Sequence, residues 1–357
     1  METDKLSTEL KSTTLFFEDI LAETLKPPSG LQNLGNTGYL NSTLQFLRAI
    51  PELQESLNKF TGESSDSDHL TASLRDLYRN LNQTTESYAP LSFLRILRNI
   101  FPQFAQRNAH GFMQQDAQEC WTQIVNSLKQ SNISISYQTN LSSNVESSSS
   151  SLEGSFIDRY MTGEFTSTLK CLDAPEEGEA LDERVEKNSP TLGRMADYSK
   201  ISCISRLPSY LTVQFVRFFW KAEQCVFSKI LHKVNFPIEL DVTDFCTDEL
   251  KNKILPLKHL DSINDEEKLK PFINPDLDKD IGANISGLYE LCAILAHLGR
   301  SADFGHYIGC VRKEDSEDWI QYDDDKVSIM SQEEIKELYG GGECTAYMLL
   351  YRSKKIA

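Results

Sequence analysis

The sequence predicts an α+β protein in which a mainly helical part precedes a part rich in β-strands. Within residues 30–130, apolar residues recur at helical spacing, most clearly in Leu91–Ile100. Within residues 155–352, β-branched and aromatic residues dominate, as in the predicted strands Phe165–Cys171 and Tyr210–Phe215. A chain of 357 residues is long enough to bury a substantial core.

Composition shifts divide the chain, whose length fits either two domains or one large multi-lobed domain; we take the latter over residues 30–352, preceded by an N-terminal extension over residues 1–29. The Ser- and Asn-rich stretch 131–154 has too little apolar surface to offset the entropy of ordering, which predicts a mobile loop between the two parts. A second polar stretch, residues 247–280, carries prolines among charged residues and is predicted to pack loosely.

The charge balance argues against nucleic acid or an anionic membrane surface as the main partner. The chain has 53 acidic and 36 basic residues and a net charge of -17, so a basic partner would suit it better. Much of the excess lies in Asp173–Glu186 and Asp261–Glu267. We interpret these runs as solvated surface that favours solubility, in preference to a role in steering partners.

Three features predict a location in the cytoplasm, the nucleus or both. The longest apolar runs, Leu211–Trp220 and Ala346–Tyr351, are too short to cross a bilayer. The N-terminal residues Met1–Lys5 lack the pattern of a secretory signal. The eight cysteines are scattered, which indicates a reducing compartment and no disulfide framework.

The segment Gly30–Gln45 carries the first candidate site. Residues Tyr39–Leu47 are predicted to form a helix that begins after Asn36 and Thr37, both suitable capping residues. A helix N-terminus stabilises a thiolate or another anion through the positive end of its dipole. Taken alone, the segment is equally well explained as a turn followed by a helix cap.

The segment Gln114–Trp121 carries the second candidate site. Asp116 and Glu119 are three positions apart, so on a helix they would share one face and could bind a cationic ligand. Without the other segments, a solvated acidic turn is the simpler interpretation.

A histidine and an acidic run near the C-terminus form the third candidate site. Two short strands joined by the charged turn 313–318 would place His306 beside Asp323, with Asp324 as the alternative orienting residue. In a catalytic triad such a histidine is the general base and the aspartate fixes its tautomer. His297 is the competing histidine, but no acidic run follows it at a suitable distance.

Metal binding is not favoured by any of these residues. The run Asp323–Asp325 lacks the alternating ligand spacing of a calcium loop. The cysteines of the strand-rich part include no pair within four positions, so the spacing of a structural zinc site is absent. We therefore predict neither a metal nor another cofactor.

Taken together and in this order, the three segments resemble the boxes of the ubiquitin-specific proteases, papain-like cysteine enzymes that cut ubiquitin from its conjugates. The resemblance extends from Pro28 to Arg352 and includes the predicted strands Leu207–Phe218 and Ala346–Arg352. It implies a papain-like fold with a helical thumb, a β-rich palm and fingers, and it implies that ubiquitin and ubiquitin conjugates are the partners.

The resemblance also implies a role for each candidate residue. Gly38 occupies the position of the attacking thiol, and Asn33 matches the residue whose amide stabilises the oxyanion. His306 and Asp323 match the general base and its orienting carboxylate. The residues that would bind the C-terminal tail of ubiquitin are Gln115, Asp116, Glu119 and Tyr307.

Glycine at position 38 predicts that the chain as printed does not hydrolyse ubiquitin conjugates. Neither Thr37 nor Ser42 would point where the thiol did, so no hydroxyl replaces it. The chain is then either a cysteine deubiquitinase that has lost its thiol or a native, non-catalytic ubiquitin-binding regulator. A scaffold without affinity for ubiquitin is the least favoured alternative.

Within the family, the segments 101–105, 206–208, 216–219 and 323–329 most resemble the branch that associates with the proteasome. That branch docks on the proteasome regulatory particle through an N-terminal ubiquitin-like domain, for which the residues before Gly30 are too few. The resemblance further implies that two loops, residues 219–229 and 300–305, overhang the groove for the ubiquitin tail and must move when ubiquitin binds. We expect a monomer.

Overall fold

The structure, a computed structural model, describes residues 28–133, 154–171, 183–188, 192–222, 226–258, 270–301, 305–314 and 316–354. The predicted N-terminal extension, most of the Ser-rich loop and most of both acidic runs lie outside these residues, as do parts of the two loops predicted to overhang the groove.

The first part of the chain is helical, and its helices are α1 (Gly38–Arg48), α2 (Pro51–Lys59), α3 (Asp66–Gln83), α4 (Leu91–Ile100) and α5 (Ala117–Gln130). Pro102–Ala105 forms a 3-10 turn, and the short strands β1 (Arg107–Asn108) and β2 (Gly111–Phe112) make a small hairpin before α5. The predicted helix over residues 91–100 is confirmed as α4. The predicted helix after Thr37 is confirmed as α1.

Helix α1 lies at the centre of the molecule. Every residue from Gly38 to Leu47 is buried, because the helix packs against α5 on one side and against the sheet on the other. Its capping differs from the prediction. The side chain of Thr37 makes no capping hydrogen bond and instead accepts one from the backbone N–H of Leu34 at 2.8 Å, while Asn36 has a φ of 52° and donates to the carbonyl of Phe112.

The second part of the chain is built on strands β3 (Glu164–Cys171), β4 (Glu183–Asn188), β5 (Met195–Arg206), β6 (Tyr210–Gln214), β7 (Phe218–Lys221), β8 (Val226–Lys229), β9 (Glu239–Asp241), β10 (Leu288–Leu298), β11 (His306–Arg312), β12 (Trp319–Asp323), β13 (Lys326–Met330) and β14 (Cys344–Ser353). Seven of them form one antiparallel sheet in the order β13-β12-β11-β10-β14-β6, with β9 also paired to β10. Strands β3, β5 and β4 form a separate three-stranded sheet, and β7 pairs with β8 in a hairpin.

The central sheet separates two apolar clusters, and strand β10 serves both. Ala293 and Leu295 face the helices, whereas Ile294 and Ala296 face the opposite cluster. A strand that is covered on both faces needs an almost continuous apolar sequence, and residues 291–296 provide one. The combination of these layers confirms the predicted α+β class.

The prediction of loose packing over residues 247–280 is wrong for the described residues. Helix α7 (Asp248–Lys258) buries Leu250 and Ile254, and helix α8 (Pro275–Lys279) buries Leu277. These three apolar side chains anchor the two helices in the apolar cluster on that face of the sheet. Further short helices are α6 (Phe156–Tyr160) and α9 (Gln332–Ile335), with 3-10 turns at Thr243–Phe245, Lys270–Phe272 and Lys336–Tyr339.

None of the helices in the described part of the chain combines the length and the apolar character that a membrane span requires.

Candidate active site

The site lies where the N-terminus of α1 meets the ends of β11 and β12. Gly38 is the first residue of α1 and faces the imidazole of His306, the first residue of β11. A Cβ atom placed on Gly38 would lie 2.9 Å from both Nδ1 and Cε1 of His306. The Nδ1 edge of the ring therefore faces the position of the predicted nucleophile, and a small shift of the ring would admit a side chain there.

The other ring nitrogen of His306 is held by the acidic run. Its Nε2 lies 2.6 Å from Oδ1 of Asp323, the last residue of β12. The antiparallel pairing of β11 and β12, with Arg312 opposite Trp319, brings together these two residues that are 17 positions apart. A carboxylate at Nε2 favours the proton on that nitrogen, so Nδ1 is left with a lone pair directed at position 38.

Asp324 occupies a different place from Asp323. Its Oδ2 lies 3.7 Å from His306 Nε2, beyond hydrogen-bond distance, and its backbone has a φ of 55°. The same Oδ2 accepts a hydrogen bond of 2.8 Å from Nδ2 of Asn33, and its Oδ1 accepts one of 2.8 Å from Nδ2 of Asn41. In this structure Asp323, and not Asp324, makes the direct contact with the imidazole.

Asn33 is oriented by bonds at both ends of its amide. Its Oδ1 accepts hydrogen bonds from the backbone N–H groups of Gly35 at 3.0 Å and Thr37 at 3.3 Å, while Nδ2 donates to Asp324. Because an amide nitrogen carries two hydrogens, one remains to donate to a reacting group. The arrangement suits the predicted oxyanion donor, five residues before Gly38 in the sequence.

The segment Gln114–Trp121, the second candidate site, differs in detail from the prediction. Asp116 is the N-cap of α5 and not a residue within it, and its Oδ1 accepts hydrogen bonds from the N–H groups of Gln118 and Glu119. Its Oδ2 accepts a hydrogen bond from the hydroxyl of Tyr347 at 2.9 Å. Both oxygens of the Asp116 carboxylate therefore accept hydrogen bonds within the protein, one as the cap of α5 and the other from Tyr347.

The remaining predicted ligand-binding residues lie around Asp116. Tyr307 is only 2% exposed, and its hydroxyl lies 3.5 Å from Asp116 Oδ2. Glu119 is half-buried in the first turn of α5, and the side-chain nitrogen of Gln115 is buried without a protein partner. A role for these four residues in binding ubiquitin stays a prediction.

Two residues of this network were not predicted. Asn41 lies one helical turn after Gly38, is 2% exposed, and also donates to the carbonyls of Leu31 and Gln32. Its spacing from Gly38 is a signal that could have identified it, since residues three apart share a helix face. Tyr347 could not have been found in this way, because only the packing of β14 brings it to Asp116.

Among the described residues near the site, no side chain replaces the missing thiol. The hydroxyl of Ser42 donates to the carbonyl of Tyr39 and is buried, and that of Thr37 is bonded to Leu34. Burial raises the pKa of the Cys120 thiol well above its usual range, which makes it a poor nucleophile.

His306, Asp323 and Asp324 also form a cluster whose candidate ligand atoms lie within 4.8 Å of one another. The nitrogen that would bind a cation is the one hydrogen-bonded to Asp323, and the other faces Gly38. We therefore interpret the cluster as acid–base machinery, and the absence of a metal stays a prediction.

A histidine directed at the N-terminus of a buried helix, an aspartate behind it and an amide beside it are the arrangement of a papain-like cysteine protease. Residues 29–351 match the model of the family described as ubiquitin carboxyl-terminal hydrolase, so the chain belongs to that family of deubiquitinating cysteine proteases.

Individual relatives agree with this assignment. The chain is 40% identical to ubiquitin carboxyl-terminal hydrolase 6 of Schizosaccharomyces pombe, over 92% of this chain and 79% of that protein. It is 36% identical to ubiquitin carboxyl-terminal hydrolase 6 of Arabidopsis thaliana (95% and 81% covered) and 32% identical to ubiquitin carboxyl-terminal hydrolase 14 of Caenorhabditis elegans (92% and 74% covered).

A solved structure supports the fold. The chain superposes on the SAGA Ubp8/Sgf11/Sus1/Sgf73 DUB module bound to ubiquitin aldehyde with a TM-score of 0.61, at 19% identity, over 96% of this chain and 75% of the other.

Proposed function

We propose that the site hydrolyses the bond after the C-terminal glycine of ubiquitin when position 38 carries a thiol, and that the chain with Gly38 binds ubiquitin without cleaving it. The observation that carries the proposal is the direction of the His306 ring, with Nε2 on Asp323 and Nδ1 towards position 38.

The proposed reaction follows from these contacts. His306 Nδ1 takes the proton of the thiol, and the thiolate attacks the carbonyl carbon of the terminal glycine. The amide of Asn33 stabilises the oxyanion of the tetrahedral intermediate. The imidazolium then donates its proton to the departing amine, which leaves a thioester on the enzyme, and a water activated by the same histidine releases ubiquitin.

The first experiment compares the chain as printed with its Gly38→Cys variant on ubiquitin that carries a C-terminal fluorogenic group. Loss of the nucleophile of a catalytic triad costs about a millionfold in turnover in a well-studied serine protease, so we expect activity in the variant alone. Binding of ubiquitin is measured in parallel, and the double variant Gly38→Cys, His306→Ala is the inactive control.

A second candidate function is a native, non-catalytic ubiquitin-binding regulator of the proteasome. The feature that favours it is Gly38 itself, since His306 closes onto the space that a side chain would occupy. An inactive Gly38→Cys variant that still binds ubiquitin would support this alternative, and loss of ubiquitin binding in both chains would exclude both functions.

We also propose that the protein acts in proteasome-linked recycling of ubiquitin, as a monomer, in the cytoplasm or nucleus. The resemblance of residues 101–105, 206–208, 216–219 and 323–329 to the proteasome-associated branch supports this proposal. Co-sedimentation of the chain with purified 26S proteasomes tests the partner, and sedimentation velocity tests the monomer.

A further inference from the structure

Lys229 is a buried lysine near the site that the proposed reaction does not use. It is the last residue of β8, in the hairpin β7–β8, and is only 7% exposed. Its ammonium donates hydrogen bonds to the carbonyl of His297 at 2.5 Å and to the carbonyl of Glu343 at 2.7 Å. Lys229 thus joins the hairpin to the end of β10 and to the residue that precedes β14.

The main chain of β8 also contacts residues next to the end of β10. The N–H of Lys229 donates to the carbonyl of Arg300 at 3.2 Å, and Ser228 forms a bridge with Ser301. Both partners lie in the connection between β10 and β11, the segment that leads directly to His306. The end of β8 is therefore attached to this connection by its main chain, and to the neighbouring residues His297 and Glu343 by the side chain of Lys229.

The residues held by Lys229 are the ones that place His306. In the pairing of β10 with β11, Leu298 lies opposite His306 and His297 lies opposite Tyr307. The ring of His297 packs against Tyr307, with ring centroids 4.8 Å apart, and a Cβ on Gly305 would lie 2.5 Å from its Nε2. A movement of His297 would therefore displace Gly305 and Tyr307, the two chain neighbours of His306.

Aromatic packing also connects the β7–β8 hairpin to His297. The ring of Phe218, the first residue of β7, lies 5.0 Å from that of His297 and 5.3 Å from that of Tyr347. Tyr347 in turn donates to Asp116. The hairpin thus packs directly against His297 of β10 and reaches the cap of α5 through Tyr347 of β14.

The surroundings of Lys229 make its ammonium costly to bury. Its ammonium donates to two neutral carbonyls, while the carboxylate of Glu343 is paired with Arg300 at 2.7 Å. Burial, with the nearby Arg217 guanidinium, lowers the pKa of Lys229 to about 8 despite opposing contributions from Cys344 and Glu343. Burying an ammonium in this way is costly, because the low-dielectric surroundings disfavour its charged form.

We propose that Lys229 is a positioning residue for hydrolysis: its bonds to the carbonyls of His297 and Glu343 hold the strand ends that align His306 with position 38. This inference rests on the proposed function, because alignment matters only for a site that carries a thiol. It concerns the geometry of the histidine and not contact with ubiquitin.

The test uses the Gly38→Cys chain with and without Lys229→Met, which keeps an unbranched side chain one atom shorter than lysine and removes the donors. The first readout is the pH dependence of alkylation of the thiol at position 38 by iodoacetamide, followed by peptide mass spectrometry so that other cysteines do not interfere. An aligned imidazolium stabilises the thiolate, so we expect Lys229→Met to raise the pKa of this thiol.

The second readout is hydrolysis of the fluorogenic ubiquitin substrate. Misplacement of a catalytic group by about 1 Å can cost on the order of a hundredfold, so we expect kcat to fall by about 10- to 100-fold while KM changes by less than about threefold. Lys233→Met is the matched control, since Lys233 is an exposed lysine four residues further along the chain. We expect it to leave both readouts unchanged.

Thermal unfolding of each variant separates alignment from folding. If Lys229→Met does not fold, Lys229→Ala replaces it, because it removes the donors and leaves space in which water can bind the two carbonyls without tying β8 to them. Folded protein with an unchanged thiol pKa and unchanged kcat would overturn the proposal, as would activity that falls only in proportion to the folded fraction. A thiol pKa that depends on Lys229 in a chain that does not cleave ubiquitin would instead overturn the proposed function alone.

Discussion

At the scale of single residues, one side chain decides whether the site can react. The imidazole of His306 is held at Nε2 by Asp323 and faces position 38 with Nδ1, so the proposed general base is oriented towards a residue that has no proton to give. Asp324 and Asn33 are also held in place by hydrogen bonds around Gly38. Under the proposed function, the nucleophile is the one group that the site lacks.

Asn33 provides a prediction at the same scale. In the Gly38→Cys chain, Asn33→Ala removes an amide donor that Gly35, Thr37 and Asp324 hold in place. Loss of one oxyanion donor typically lowers kcat by about 10²- to 10³-fold, so we expect that decrease with KM nearly unchanged. The measurement is steady-state hydrolysis of the fluorogenic ubiquitin substrate.

The control for this prediction is Asn82→Ala, which removes an exposed amide on α3, far along the chain from the site. An Asn33→Ala variant that raises KM without lowering kcat would assign the residue to substrate binding and contradict a role in the oxyanion site.

At the scale of elements, the end of β10 contains a histidine that is kept neutral. Both ring nitrogens of His297 are buried without a hydrogen-bond partner. Burial, with the nearby Lys229 ammonium and His306, lowers its pKa to about 3. The unfolded chain, in which a histidine has a pKa near 6.5, then binds more protons than the folded chain between about pH 3 and 6.5.

The sign of the effect follows from this difference in proton binding. A lowered pKa in the folded state gives stability that is present above the unfolded value and is lost as pH falls towards the folded value. We predict that His297→Phe reduces the acid-side slope of the free energy of unfolding, by up to about 1.4 kcal/mol per pH unit. Urea unfolding at pH values from 4.5 to 7 measures it.

The exposed Asn80 provides the comparison, because Asn80→Ala removes no titratable group and should leave that slope unchanged. Equal slopes in the parent chain and His297→Phe would mean that His297 is not the group that titrates.

At the scale of the whole molecule, the helical part and the sheet are joined by polar contacts as well as by α1. The hydroxyl of Tyr210 on β6 donates to the carboxylate of Glu52 on α2. Arg206 at the end of β5 donates to both carboxylate oxygens of Asp280, at 2.8 and 2.7 Å, which ties the strand-rich part together. These contacts connect parts of the sequence that are 158 and 74 positions apart.

The contact between Tyr210 and Glu52 predicts a measurable share of the stability. Hydrogen bonds to charged groups contribute about 1.5–3 kcal/mol, and Tyr210→Phe removes this one while keeping the ring. We expect the free energy of unfolding to fall by about that amount in urea denaturation. Tyr88→Phe, which removes an exposed contact with Asn80, should cost less than about 1 kcal/mol, and an equal loss in both variants would show that the first contact is not special.

The sequence by itself determined the α+β class, helices α1 and α4, the strands of the histidine and acidic segments, and the family. These features depend on local periodicity and on short motifs that are legible in one stretch of chain. Local signals also misled: the polar composition of residues 247–280 hid Leu250, Ile254 and Leu277, and Thr37 and Asn36 suited a cap that they do not make.

Only the tertiary structure decided how the site is supported. Tyr347 reaches Asp116, Asn41 and Asn33 reach Asp324, and Lys229 reaches the carbonyls of His297 and Glu343, because the packing of the helices, the central sheet and the β7–β8 hairpin brings distant segments together. Contacts of this kind have no fixed spacing in the sequence, so no periodicity or motif announces them. The short motifs of the sequence therefore indicated which chemistry to expect, whereas the alignment of the candidate groups depends on the folded molecule.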